Sequence, residues 1–213
     1  MTIKNEVLEI CKAVKKSTKD IANLDSKTKN DVLTRVVELL EANVSKIIEA
    51  NKKDIEEAKK NNLDQPKIDR LLLDENRIMS IASAVKDIIK LPDPVGEILY
   101  DVNRPSGIDV KRVRTPIGVL LTIYESRPNV TSDVASLAFK SGNAVILRCG
   151  SDSINSSQII ANYYQQALRE FNINENAIML ISETDREYVS ELLKMEKYID
   201  VVIPRGGKSL IQA

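Results

Sequence analysis

Apolar positions in the first ninety or so residues recur every three or four places. Val7, Ile10, Cys11 and Val14 share one face at helical spacing. The pattern breaks at Asn23-Leu24-Asp25, where Asp25 or Ser26 can cap a second helix. That helix carries one stripe through Val32, Leu33, Val36, Val37, Leu40, Val44, Ile47 and Ile48. Lys60-Asn61-Asn62-Leu63-Asp64 interrupts it, and Gln65-Pro66 reads as a continuation of the loop. Asp74 can cap another helix, bearing Ile78, Ile81, Ala82, Val85, Ile88 and Ile89, which ends at Pro92-Asp93-Pro94-Val95-Gly96.

The period then changes. Residues 98–102 and 108–113 are strand-like around the turn-rich Asn103-Arg104-Pro105-Ser106-Gly107, which reads as a β-hairpin or paired arms. From Pro116 onward, short apolar runs at 118–125, 144–148, 177–182 and 199–204 alternate with helical stretches at about 131–140, 152–171 and 185–195. Gly206-Gly207-Lys208-Ser209 opens a further helix. Strands buried on both faces read as continuous apolar runs, and four of them separated by helices predict a parallel, doubly wound sheet. The expected fold class is therefore α/β: a Rossmann-like parallel sheet at 114–213 with flanking helices, preceded by N-terminal helices packed on it (1–97) and a β-hairpin arm (98–113).

Charge narrows the partners. The 31 bases balance 31 acids, which argues against a nucleic-acid or membrane surface but not against a small anion. No apolar run approaches the roughly 20 residues of a membrane span, and the first residues lack a signal-peptide core, so the expected location is cytoplasmic. Two distant cysteines, Cys11 and Cys149, fit a reducing compartment. The absence of histidine removes Ser-His-Asp and Cys-His nucleophiles and most zinc sites, so no metal is expected.

Ligands of open parallel sheets bind beyond the carboxyl ends of the strands. That rule selects four polar segments: Glu125–Asn129, Arg148–Asp152, Ser182–Thr184 and Pro204–Ser209. Each is followed by a predicted helix N-terminus, whose free N–H groups suit phosphate, so a nucleotide is the natural ligand. The alternative for Gly206-Gly207 is a tight turn with no ligand. The dinucleotide fingerprint of spaced glycines is absent. Gly207-Lys208-Ser209 imitates the end of a Walker A loop, but Val202 stands where that loop needs glycine. Arg148 after the second strand favours a 2′-phosphate, and so NADP, while Asp152 pulls the other way; alternatively Arg148 is a solvated strand end. Cys149 has no base beside it and reads as a small buried residue, and Cys11 as core. Asn129 can donate to an oxyanion or serve as a helix cap.

Three segments resemble the signature of γ-glutamyl phosphate reductases, in the aldehyde dehydrogenase superfamily. They are Arg114–Val119 continued by Ile123–Thr131, Lys140–Ser151, and Asp200–Gln212. The resemblance implies NADPH-dependent reduction of L-glutamyl 5-phosphate to L-glutamate 5-semialdehyde, a step of proline biosynthesis. In that family a cysteine thiolate displaces phosphate and hydride reduces the thioester. The oxyanion-stabilising amide carries over to Asn129. The adenosine side of NADP(H) carries over to Arg148, Gly150 and Ser151, and the pyrophosphate and nicotinamide side to Pro204, Gly206, Gly207, Lys208 and Ser209. The hairpin resembles the arm with which these enzymes pair subunits, implying a homo-oligomer. The family's nucleophilic cysteine lies in a catalytic domain beyond this segment, and Cys149 stands where relatives carry glycine. The 213 residues alone are therefore expected to bind cofactor without turnover. Two other readings stay open: a non-catalytic dinucleotide-binding module, and a phosphotransfer enzyme using Gly207-Lys208-Ser209.

Overall fold

The structure, a computed structural model, describes residues 2–207. Helix α1 (Ile3–Ala22) buries Val7, Cys11, Val14 and Ile21, the face its apolar spacing defines. Helix α2 (Ser26–Ala42) begins where the Asp25 carboxylate accepts the Thr28 N–H at 2.7 Å.

The long apolar stripe is two helices, not one. The chain leaves helical geometry at Asn43 (φ −121°, ψ 27°) and resumes at once as α3 (Val44–Lys60). Asn43 turns its side chain back to the Leu39 carbonyl at 2.8 Å, the local bond that makes asparagine a helix breaker. A break of one residue leaves the apolar spacing almost undisturbed, so periodicity cannot reveal it.

The loop expected at Gln65-Pro66 is also helical. In α4 (Gln65–Leu71) Pro66 lies in the first turn, where its missing N–H has no intrahelical partner to lose, and Asp64 caps the Lys67 N–H. Helix α5 (Glu75–Lys90) starts as expected, with Asp74 accepting from the Arg77 N–H at 2.8 Å.

Strands β1 (Ile98–Asn103) and β2 (Asp109–Val113) pair antiparallel around Gly107, whose φ of +80° a side chain rarely tolerates. Both stand almost wholly in solvent, Ile98, Leu99, Val110 and Val113 included.

The second sheet consists of β3 (Val119–Tyr124), β4 (Ala144–Arg148), β5 (Ile178–Leu180) and β6 (Val201–Arg205), all parallel, in the order β5-β4-β3-β6. Helices α6 (Pro128–Lys140) and α7 (Ile154–Glu170) join β3 to β4 and β4 to β5, while α8 (Arg186–Leu192) leads toward β6. Helix α1 packs against α8 and the central strands; α2, α3 and α5 pack on α6 and α7. One continuous apolar core, with Leu121, Ile146, Phe139 and Leu33 fully buried, joins these layers. Burying a side chain of that size contributes roughly 1.5–3 kcal/mol before entropy is counted.

Polar ties fix the start of the sheet. Asn143 Oδ1 accepts the N–H groups of Ile117 and Gly118 at 2.6 and 2.9 Å. Asp200 accepts the Val119 N–H at 2.7 Å and the Lys15 ammonium at 2.6 Å. A Cβ on Gly118 (φ +128°) would lie 2.2 Å from Asp200 Oδ2, so only glycine fits there.

Candidate functional site

Strand order reverses between β3 and β6, and the crevice at such a point is where open α/β sheets take ligands. Three cavities open around the carboxyl ends of β3, β4 and β6.

The first, about 470 Å³, lies at the ends of β3 and β4. Ser126 Oγ donates to Asp152 Oδ2 at 2.8 Å and ties the two strand ends together. Gly150 lies so close to Ser126 that a Cβ would meet its Oγ at 3.2 Å and its N at 3.3 Å. Arg148 is not a solvated strand end. It is 6% exposed, and its guanidinium donates to the Cys149 and Thr184 carbonyls, the latter at 2.9 Å. Its Nε has no partner among the described residues. Ser151, Lys67 and Arg186 line the same cavity, all exposed.

The end of helix α7 is not free for phosphate, contrary to the pattern-based expectation. Asp54 of α3 accepts the Asn155 and Ser156 N–H groups at 3.0 and 2.8 Å, and also the two side chains, Asn155 Nδ2 at 2.8 Å and Ser156 Oγ at 2.5 Å. A carboxylate already neutralises the positive end of that helix. An anion in this cavity falls to side-chain cations instead.

The second cavity, about 290 Å³, sits between β3 and β6. Glu125 Oε1 accepts the Gly207 N–H at 2.9 Å, which closes the turn at Gly206-Gly207 over the end of β3. Pro204 lies within β6, paired in register with Ile123. The predicted residues Lys208 and Ser209 lie outside the described residues.

The third cavity, about 520 Å³, lies between α4, α5 and the first turns of α6. Asn129 and Asp133 line it, and Asn129 Nδ2 donates to Asp133 Oδ2 at 3.1 Å. Asn129 is not the cap of α6; that position is Arg127, which makes no capping bond. Burial raises the Asp133 carboxyl above its usual range, against the opposing pull of Arg205 and the Asn129 bond. Arg70 of α4 lines all three cavities.

Neither thiol is poised to react. Cys149 is 1% exposed, and burial pushes its thiol up. Burial takes Cys11 to about 11. Among the described residues, no group of three His, Cys, Asp or Glu could hold a metal, and no helix is long and apolar enough to cross a membrane.

No protein-family model matches the chain. Curated proteins and solved structures do. A γ-glutamyl phosphate reductase from Sulfurihydrogenibium sp. is 50% identical over 204 residues, covering 96% of this chain and 46% of the relative. The crystal structure of a γ-glutamyl phosphate reductase from Thermotoga maritima superposes with a TM-score of 0.94 at 40% identity, over 97% of this chain and 50% of that one. The chain is a relative of the γ-glutamyl phosphate reductases. It spans about half the length of the curated relatives it matches. Beyond the family the likeness is one of fold. A probable aldehyde dehydrogenase from Listeria monocytogenes matches all of this chain and 45% of its own at TM-score 0.76 and 13% identity. An engineered glycolyl-CoA reductase with bound NADP⁺ matches 97% of this chain and 43% of its own at 0.68, also at 13% identity.

In this γ-glutamyl phosphate reductase relative, Arg148, Gly150 and Ser151 fall in the first cavity, and Gly206 and Gly207 line the second. Asn129 faces a different one. Sequence reasoning missed Lys67 and Arg70, because Gln65-Pro66 read as loop; Asp64 two residues before a proline was the available helix-start signal. It also missed Asp133, which follows Asn129 by one helical turn and so shares its face. The roles of Glu125 and Arg186 have no sequence signal, since each depends on which strands and helices end side by side.

Proposed function

We propose that this chain is the dinucleotide-holding part of an enzyme that reduces L-glutamyl 5-phosphate to L-glutamate 5-semialdehyde with NADPH, in cytoplasmic proline biosynthesis. The observation that carries the reading is the 470 Å³ cavity at the β3 and β4 carboxyl ends, inside a chain 50% identical to a γ-glutamyl phosphate reductase. The lining suits a phosphorylated dinucleotide. Lys67 and Arg186 supply positive charge, Arg148 braces the rim through the Cys149 and Thr184 carbonyls, and Gly150 leaves room where a side chain would crowd Ser126. In this reading Arg148, Gly150 and Ser151 hold the adenosine side, and Pro204, Gly206, Gly207, Lys208 and Ser209 the other end.

When bound, NADPH supplies hydride. The chain's own residues orient and stabilise. The Asn129 amide has two N–H donors; one is held by Asp133, and the other serves an oxyanion in the adjoining cavity. Both cysteines of the chain are buried, so the proposed nucleophilic thiol lies in a catalytic domain outside these 213 residues. The exposed apolar hairpin is the proposed contact of a homo-oligomer.

The reading predicts cofactor binding without turnover. In an assay with the semialdehyde, phosphate and NADP⁺, the chain is expected to release no NADPH while still binding it. Turnover would bring the nucleophile into this chain. Folded protein that binds no dinucleotide would remove the cofactor role.

A further inference from the structure

The 520 Å³ cavity between α4, α5 and α6 has the volume of a small-ligand site and shares only Arg70 with the cofactor cavity. Its charges come from two different helices. Asp133 projects from α6, and Oδ1 accepts no hydrogen bond from the described residues. Arg70, in the last turn of α4, lines the same cavity and forms no ion pair among the described residues. Arg77 also lines the space, but its guanidinium is committed: it donates to the Asp69 and Leu72 carbonyls and to Asp69 Oδ1 at 3.0 Å. Arg77 therefore shapes the wall, and Arg70 is the cation left for a ligand. Leu72, Leu73, Ile81 and Ala84 supply apolar lining.

A carboxylate and a guanidinium lining one cavity with apolar side chains suit a zwitterionic α-amino acid. Asp133 suits the ammonium, Arg70 the carboxylate, and the apolar stretch the methylenes. The carboxylate alone would repel a simple anion, and the cation alone would repel an amine. Asn129 fixes the direction of such a ligand. A carbonyl oxygen at its free N–H leaves the rest of the molecule running along α6 toward Asp133. Asn129 Nδ2 and Asp133 Oδ2 are 3.1 Å apart. The γ-carbonyl carbon and the amino nitrogen of a glutamyl group are roughly 5 Å apart at ordinary bond lengths. The two side-chain ends are therefore close enough for one γ-activated α-amino acid to reach both.

We infer that this cavity is the amino-acid end of the substrate site, with Asp133 gripping the α-ammonium and Arg70 the α-carboxylate of a γ-activated glutamyl ligand. The inference rests on Asn129 as the oxyanion donor, and it assigns substrate recognition to residues of this chain. Burial that raises the Asp133 carboxyl has the consequence expected of such a site, since an incoming ammonium restores what desolvation removed.

The test uses the 213-residue chain and two probes. L-Glutamine carries a γ-amide in place of the acyl phosphate; its deaminated analogue glutaramate lacks only the α-amino group. Binding is followed by nuclear magnetic resonance, which detects weak complexes, with NADPH titrated separately. L-Glutamine is expected to shift the backbone signals of Ser80, Asn129 and Asp133, with glutaramate about ten-fold weaker, which is one decade in Kd. Asp133→Asn should weaken L-glutamine by a similar factor and leave NADPH binding unchanged. Equal binding of the two probes, undiminished binding to Asp133→Asn, or no binding of L-glutamine would each overturn the inference. The two probes are compared on the unsubstituted chain, so the conclusion stands even if the variant fails to fold. If NADPH binds while L-glutamine does not, only this inference fails; if NADPH does not bind, the cofactor reading fails by itself.

Discussion

At the scale of single residues, Arg148 shows how burial redirects a side chain that the sequence marks as a ligand. Two of its nitrogens serve the Cys149 and Thr184 carbonyls, so it braces the rim of the cavity it lines. Arg148→Ala is expected to lower stability by about 1–3 kcal/mol, because buried carbonyls lose their donor; denaturant unfolding measures this. In the proposed cofactor role, discrimination of a 2′-phosphate would fall to exposed Arg186 and Ser151. Arg186→Ala should weaken NADPH about ten-fold and NADH by less, as expected when a charged contact to phosphate is removed. Equal losses for the two cofactors would take the 2′-phosphate away from this wall. Asn129→Ala should spare dinucleotide affinity yet cost about 10²–10³ in kcat in a protein that also carries the nucleophile. An unchanged rate would make Asn129 a turn residue only. Cys11 sets a pH dependence. Its thiol holds its proton to about 11 in the folded chain against 9.0 ordinarily, so the unfolded state ionises first. The stability this confers, roughly 2–3 kcal/mol, is complete below pH 9 and lost as the pH rises toward 11. The alkaline fall in stability should be shallower in Cys11→Ala, and an identical slope would show that burial does not hold the proton.

At the scale of elements, what could be read from sequence was whatever a local pattern encodes. Strand runs at β3 and β4, the Asp25 and Asp74 caps, and the exposed hairpin each follow from spacing and turn chemistry over a few residues. The break at Asn43 and the helix at α4 did not follow, the first because one residue barely alters the apolar phase, the second because proline signals both a helix start and a loop. That second ambiguity mattered most for the site, since α4 carries Lys67 and Arg70 into the cavities. Asp64→Ala removes the cap of α4 and should cost about 1 kcal/mol. It should also weaken NADPH binding by loosening Lys67, and unaltered affinity would show that α4 holds its place without the cap. The hairpin offers Leu99 and Val110 to solvent. If it pairs subunits, Leu99→Lys with Val110→Lys should lower the mass seen by light scattering to that of one chain. A mass that does not change would move the oligomer contact elsewhere.

At the scale of the whole molecule, the decisive features join residues far apart in sequence. Asp54 and Asn155 meet across 101 positions to fill the N-terminus of α7, and Glu125 reaches Gly207 across 82. No local pattern encodes such meetings, and they decide which amides and cations remain for a ligand. The strand order β5-β4-β3-β6 brings three polar strand ends together, and α4 from the helical half covers them. The proposed ligand of this arrangement is a phosphorylated dinucleotide. The most direct measurement is a titration of the 213-residue chain with NADPH and with NADH, after circular dichroism shows it folded. The account predicts NADPH binding in the micromolar range, on the order of −8 kcal/mol, with NADH weaker. A folded chain that binds neither would contradict it.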